Sequence, residues 1–201
     1  MHIPIAFHET RTEVLHAFIR KHGFATLISH GAHGLNISHL PLLLNETGPK
    51  LLGHLARPNP HWHDFTTAVS VTAIFTGPHT YISPRYYTTR VAVPTWNYVN
   101  VYAHGRATIV EDPTKLASML EQLTTAYEAD SPNAWSMNEL PTDMRQKLVT
   151  SIVGIEITIE KLEGKFKLNQ NRPAADRASV IEALNASGNA DDNAVAEMMQ
   201  E

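Results

Sequence analysis

The chain predicts a mainly β fold with peripheral helices, an α+β arrangement built on an antiparallel sheet or barrel, and three observations predict it. Segments in which apolar and polar residues alternate recur along the 201 residues, at the period of two that a half-buried strand requires. Turn residues separate these segments at short intervals. Helical periodicity interrupts them only after the third and fifth strands and near the two ends, so no alternation of β and α units builds a parallel sheet.

The first element is a helix: Thr10 with Glu13 three residues on has the capping-box pattern, Val14, Leu15, Phe18 and Ile19 share one face, and Gly23 ends it. Phe24 to Ser29 reads as a strand, His30 to Gly34 as a turn and Leu35 to Leu44 as the antiparallel partner. Pro41 within that partner lacks a ladder donor and belongs at an edge or bulge. Asn45 to Pro49 turns the chain into Lys50 to Thr76, read as a strand, a tight turn at Pro58-Asn59-Pro60, a short helix and a second strand from Ala68. Arg57 and Asn59 come to the mouth of that turn. Unpaired N–H groups and partial positive charge at a helix N-terminus make the mouth either a phosphate seat or a polar connection capped by Asn59.

Gly77 to Pro94 holds too many breakers for regular structure and too many aromatics for a solvated linker, so an irregular loop packed against the body is expected. Thr95 to Val110 is a long strand, with Val99, Val101, Ala103, Ala107 and Ile109 on one face and Trp96, Tyr98, Tyr102 and His104 on the other. Its aromatic face suits a subunit interface, a cofactor wall or a covering helix. Asp112 and Pro113 start a helix whose Leu116, Met119, Leu120, Leu123 and Tyr127 form a structural stripe. A shorter helix near Pro141 to Val149, a strand from Ile152 to Leu162, a charged connection up to Pro173 and a helix carrying Val180, Ile181 and Leu184 complete a single domain over residues 1–186. Residues 187–201 read as an acidic, disordered or frayed tail.

Four of the 20 acidic residues lie in that tail, leaving a body with 16 of each sign, without the basic excess of a nucleic-acid binder. No apolar run spans a bilayer and the start lacks a signal peptide's pattern, so a cytoplasmic location is expected. The absence of cysteine excludes disulfides and thiolate chemistry. The 12 histidines show no metal-binding spacing, and no Gly-x-Ser-x-Gly elbow or Gly-rich phosphate loop is present. Four clusters remain: Arg57, Asn59 and Trp62 for a phosphate beside an aromatic ring; Ser38 and His39 on a strand expected to neighbour that of the turn; Trp96 and Asn97 as a flat wall and an amide; and the cations and amides of Lys165, Lys167, Gln170, Asn171 and Arg172.

Five motifs in order, Ser38-His39-Leu40-Pro41, Gly53-His54-Leu55-Ala56-Arg57-Pro58-Asn59-Pro60-His61-Trp62, Gly77-Pro78-His79-Thr80-Tyr81-Ile82-Ser83-Pro84, Val93-Pro94-Thr95-Trp96-Asn97-Tyr98 and Lys165-Phe166-Lys167-Leu168-Asn169-Gln170-Asn171-Arg172, resemble those of the PaiB family of FMN-binding negative transcriptional regulators. Asn169 stands where that family has Ser, and Arg85-Tyr86 where it has a Ser-Trp-like pair. The resemblance implies a six-stranded antiparallel split β-barrel, a homodimer with FMN at its interface, and DNA as a possible partner, with no membrane. It implies that Arg57 and Asn59 hold the phosphate, that Ser38, His39, Leu40 and His54 lie on flavin-facing strands, and that Trp96, Asn97, Gln170 and Arg172 complete the site. A flavin-dependent oxidoreductase or flavin reductase using the same FMN is the alternative output, and no residue is assigned as catalytic.

Overall fold

A computed structural model describes every residue except His33, Glu46, Thr47, Arg90 and Glu201, and in it the alternating segments form eight strands rather than six. They are β1 (His8–Glu9), β2 (Phe24–Gly31), β3 (Gly34–Pro41), β4 (Leu43–Leu44), β5 (Lys50–Ala56), β6 (Val69–Ile82), β7 (Thr95–Val110) and β8 (Ile152–Lys167). The two beyond the expected six are β1, whose two residues are too few for alternation to show, and β4, the end of the expected Leu35 to Leu44 strand set apart from β3 at Leu42. Helices α1 (Thr12–Lys21), α2 (Pro113–Glu128), α3 (Thr142–Thr150), α4 (Ala174–Asn185) and α5 (Ala190–Gln200) accompany them, with a 3-10 turn at Pro60–Thr66.

The strand order is β3-β2-β6-β7-β8-β5-β4, with β1 added on β8. The path begins on β3 and ends on β4, and these are separated by Leu42 alone, so one extended run supplies both edges and the sheet closes on itself. Pro41 lies at the point of transfer, where the chain leaves its pairing with β2 (Phe24 opposite Pro41) and turns to β5 (Leu43 opposite Leu52). A missing N–H costs least there. The strand carrying Ser38 and His39 therefore pairs with β2, and its continuation β4 makes the pairing with β5.

Three segments differ from expectation. Residues 77–82 continue β6 despite Pro78: β2 pairs with β6 only as far as Ile74, so Pro78 lies beyond that ladder and deprives β2 of no hydrogen bond. Residues 161–167 continue β8, where Lys165 and Lys167 alternate with Gly164, Phe166 and Leu168 and their charge hides the strand pattern. The tail forms α5 in place of a disordered or frayed end. Val195, Ala196 and Met199 are buried on it, and each large apolar side chain so buried contributes roughly 1.5–3 kcal/mol. A narrow stripe among acidic and small residues is what composition alone conceals.

The chain divides into two compact units. The larger comprises Ile19–Phe75 and Tyr102–Leu162. Leu27, Leu51, Phe75, Ala103, Ala107, Val153, Ile155 and Ile157 form its interior, and α2 packs Leu116, Met119 and Leu123 against Leu52. As expected, the Asp112 carboxylate caps α2, accepting from the Lys115 N–H at 2.8 Å. The smaller unit comprises Met1–Phe18, Thr76–Val101 and Glu163–Glu201. In it Phe18 meets Phe166, α4 packs on α5, and the Thr80 hydroxyl donates to Asp192. Asp176, fully buried at the start of α4, accepts four hydrogen bonds, from the N–H groups and hydroxyls of Thr88 and Thr89. Those hydroxyls and N–H groups bring its pKa down to about 2. Asn169 adopts φ 61°, a left-handed conformation that asparagine tolerates better than most side chains, and is buried with its amide donating to the Tyr87 hydroxyl.

Candidate functional site

The β2–β3 hairpin sets the geometry of the larger unit's polar cluster. Ala25 pairs with Leu40, Leu27 with Ser38 and Ser29 with Asn36, and all six share the inward parity. Two inward positions thus carry hydroxyls and one an amide, which need partners once buried. The 3-10 turn supplies them. Its i to i+3 repeat puts His61 and Asp64 on one side, and His61 is 2% exposed.

The contacts form a continuous chain. Asp64 Oδ2 accepts from the Ser29 hydroxyl and, at 2.8 Å, from Asn36 Nδ2. Ser29 Oγ lies 2.9 Å from His61 Nε2, and Ser38 Oγ lies 2.7 Å from His61 Nδ1. Asn59 Nδ2 donates to Ser38 Oγ at 3.2 Å, while Asn59 Oδ1 accepts from the His61 N–H at 3.0 Å and so caps the turn. A Cβ on Gly31 would fall 2.0 Å from Asp64 Oδ1, so the carboxylate packs where only glycine leaves room. Burial holds the His61 pKa below its ordinary 6.5, against a smaller upward pull from Asp64.

Of the expected site residues, Ser38 and Asn59 are brought together here, with His61 between Ser38 and Ser29 as the member the sequence missed. The missed signal is the inward parity of Ser29 and Ser38: two buried hydroxyls facing each other across a hairpin call for a polar partner. Arg57 is placed differently. Its Nε and Nη2 donate to the carbonyls of Thr150 and Ile152, each at 3.0 Å, Nη1 stands 3.8 Å from Glu111, and its own carbonyl accepts from the Trp62 indole N–H. Its side chain is still 43% exposed, with N–H groups to spare. Leu40 is buried in the core. His39 lies on the outer face, its ring stacked on Phe24 and its Nδ1 3.0 Å from Thr26 Oγ1. His54, on β5, has its Nδ1 buried without a hydrogen-bond partner, and burial lowers its pKa, holding the imidazole neutral.

Trp96, Asn97, Gln170 and Arg172 belong to the smaller unit, where they do not form one cluster. Trp96 points outward, 53% exposed, with the rings of His79 and Tyr81 beside it. Asn97, its neighbour on β7, points inward by the same alternation, donates to Met199 Sδ at 3.5 Å and leaves Oδ1 buried and unpartnered. Gln170 folds back on its own loop, accepting from Leu168 N–H and donating to the Phe166 carbonyl. Arg172 lies over the Tyr87 ring at 4.7 Å. Lys167 donates to the carbonyl of Trp96 and the hydroxyl of Thr95, and burial, then the charge of Lys165, lowers its pKa. Among the described residues no three His, Asp or Glu side chains gather to hold a metal ion, and no helix is long and apolar enough to cross a membrane.

Comparison with known proteins bears on this arrangement. Residues 1–161 match the family described as "Putative FMN-binding domain". The protease synthase and sporulation protein PAI 2 of Bacillus subtilis is 33% identical over 203 residues, covering all of this chain and 97% of its own. Among solved structures, the flavocytochrome Anf3 of Azotobacter vinelandii superposes with a TM-score of 0.65 at 12% identity, covering 82% of this chain and 72% of its own. The FAD and haem binding protein of Mycobacterium smegmatis does so with a TM-score of 0.63 at 13% identity, covering 90% and 80%. At such identities these two establish a shared fold.

Proposed function

The chain belongs to the PaiB family of FMN-binding domains, and from that premise we propose that it is a homodimeric FMN protein whose output is negative regulation of transcription. The observation that carries the flavin assignment is the unpartnered Nδ1 of His54: a buried imidazole nitrogen with nothing to bind fits the polar edge of a heteroaromatic ring. The larger unit's other polar groups suit the rest of FMN. Arg57 offers outward N–H groups for the phosphate, and Ser38 and Asn59 offer a fixed hydroxyl and amide. When bound, FMN supplies redox chemistry, and these residues bind and orient it.

The outer face of β2 and β3 supports the dimer. Phe24, Leu35 and Ile37 are 69%, 68% and 59% exposed, on the same parity as His39 and Ile28, an apolar surface of the kind that marks subunit contacts. Support for a regulatory output comes from the Bacillus relative, whose name carries sporulation. A flavin-dependent oxidoreductase or flavin reductase is the second reading, favoured by the neutral imidazole of His54, which can accept or donate a proton at Nδ1.

The test is the absorption spectrum and molecular mass of the purified protein, followed by gel shifts on its own genomic region at stated salt. Flavin bands near one per chain, a dimeric mass and tighter binding to that region than to random DNA support the proposal; affinity equal to random DNA removes the regulatory part. Turnover with nicotinamide donors moves the assignment to the reductase. Arg57→Ala is expected to weaken FMN tenfold to a hundredfold, the scale of one charge-assisted phosphate contact of roughly 1.5–3 kcal/mol. Lost stability with unchanged affinity would instead make Arg57 a brace for the Thr150 and Ile152 carbonyls.

A further inference from the structure

We infer that Ser38 meets its ligand as a hydrogen-bond acceptor, with its hydroxyl hydrogen held by His61, and that the Asp64–Ser29–His61 chain sets this polarity. The direction of each bond follows from the groups present. The backbone N–H of His61 donates to Asn59 Oδ1, so the Asn59 amide is oriented with Nδ2 toward Ser38. The Ser29 hydroxyl donates its single hydrogen to Asp64 Oδ2. Ser29 must then accept from His61, which places the imidazole proton on Nε2 and leaves Nδ1 bare. Ser38 donates to that bare nitrogen at 2.7 Å and accepts from Asn59 at 3.2 Å. One lone pair on Ser38 Oγ remains, and only a donor can use it.

The groups facing His61 are Ser29 from β2, Ser38 from β3, and Asn59, Asp64 and the Phe65 ring, centred 5.0 Å away, from the turn. Asp64, joined to it through Ser29, is the charged group of that set. Reversing the chain requires a second proton on the buried imidazole. A phosphate oxygen at Ser38 would demand that reversal, because it needs a hydrogen. Joined to the FMN reading, on which this step rests, the polarity assigns Ser38 to a ribityl hydroxyl or a ring N–H and leaves the phosphate to other donors. His61, Ser29 and Asp64 act through Ser38 as positioning residues.

Two measurements on the full chain test this. Long-range nitrogen–proton NMR of the imidazoles at pH 7.5, without flavin and with the His61 signal assigned from His61→Gln, is expected to show Nε2 protonated and Nδ1 bare. Asp64→Asn is expected to lose that single tautomer. A proton on Nδ1 in the wild type, or an unchanged tautomer in Asp64→Asn, overturns the relay. Titration of wild type and Ser38→Ala with FMN and with riboflavin is expected to show the same loss for both ligands, roughly three- to tenfold, the scale of one neutral hydrogen bond. A loss confined to FMN, or no loss with either, overturns the assignment of Ser38. Wild type that binds neither flavin rejects the FMN reading and the ligand assigned to Ser38 with it, while the imidazole spectrum still decides the relay.

Discussion

Two aspartates anchor two polar clusters, Asp176 fully buried and Asp64 partly so, and the clusters are built to different ends. Asp176 in the smaller unit is saturated: four donors from two adjacent threonines converge on one carboxylate, and the cluster closes on itself. Asp64 in the larger unit begins a chain that passes through a hydroxyl and an imidazole and ends on Ser38, an expected ligand contact. A closed cluster fixes backbone, whereas an open one with a titratable member transmits a hydrogen-bond direction to its end. A carboxylate accepting from hydroxyls is common to both, so it does not by itself mark a functional site.

Substitution at the closed cluster should have the largest effect on stability. Asp176→Ala strands two N–H groups and two hydroxyls and is expected to lower the melting temperature on the order of 10 °C by calorimetry. A fall of only a degree or two would mean that Thr88 and Thr89 find other partners. Next comes the open cluster: His61→Phe fills the space but deprives Ser29 and Ser38 of their partner, for a loss of about 2 kcal/mol in a urea titration, with weaker flavin binding. Equal affinity would reduce this cluster to the same structural role as the first.

Acid separates the two clusters without mutation. For His22, His54 and His61 the folded pKa lies below the ordinary 6.5, chiefly through burial. The unfolded chain therefore binds more protons, and their stability contribution, complete above about pH 6.5, is lost as pH falls through the folded values. Asp176 adds nothing to that slope; its contribution is complete above its ordinary 3.8 and disappears as pH falls toward about 2. Urea midpoints should decline in two separate pH windows, and His61→Gln should flatten the upper one. The smallest effect is expected at Trp96, half in solvent: Trp96→Ala should change the unfolding free energy by no more than about 0.5 kcal/mol, and a larger change would reveal that its aromatic neighbours are structural.

Much of the fold was legible because alternation and caps are local. β7 has the bounds that its pattern predicts, Asp112 caps α2, and Asn59 caps the turn after β5. What stayed hidden was set by partners distant in sequence. Pro78 is tolerated because β2's pairing stops at Ile74, and Val195 and Met199 are buried because the remainder of the smaller unit offers them a surface. The site divides likewise. Ser38 and Asn59 could be named from their motifs, but nothing in the sequence separates His61 from His63, two residues on, until the turn buries the first and exposes the second.

Closure of the sheet through the single run from Gly34 to Leu44 also governs how the chain matures as it leaves the ribosome. The hairpin of β2 and β3 can pair as soon as it is made, but β5 must await β8, where Lys50 meets Glu156, 106 residues later. At ordinary synthesis speed that is a delay of roughly 5–20 s, during which an apolar strand edge is open to other chains.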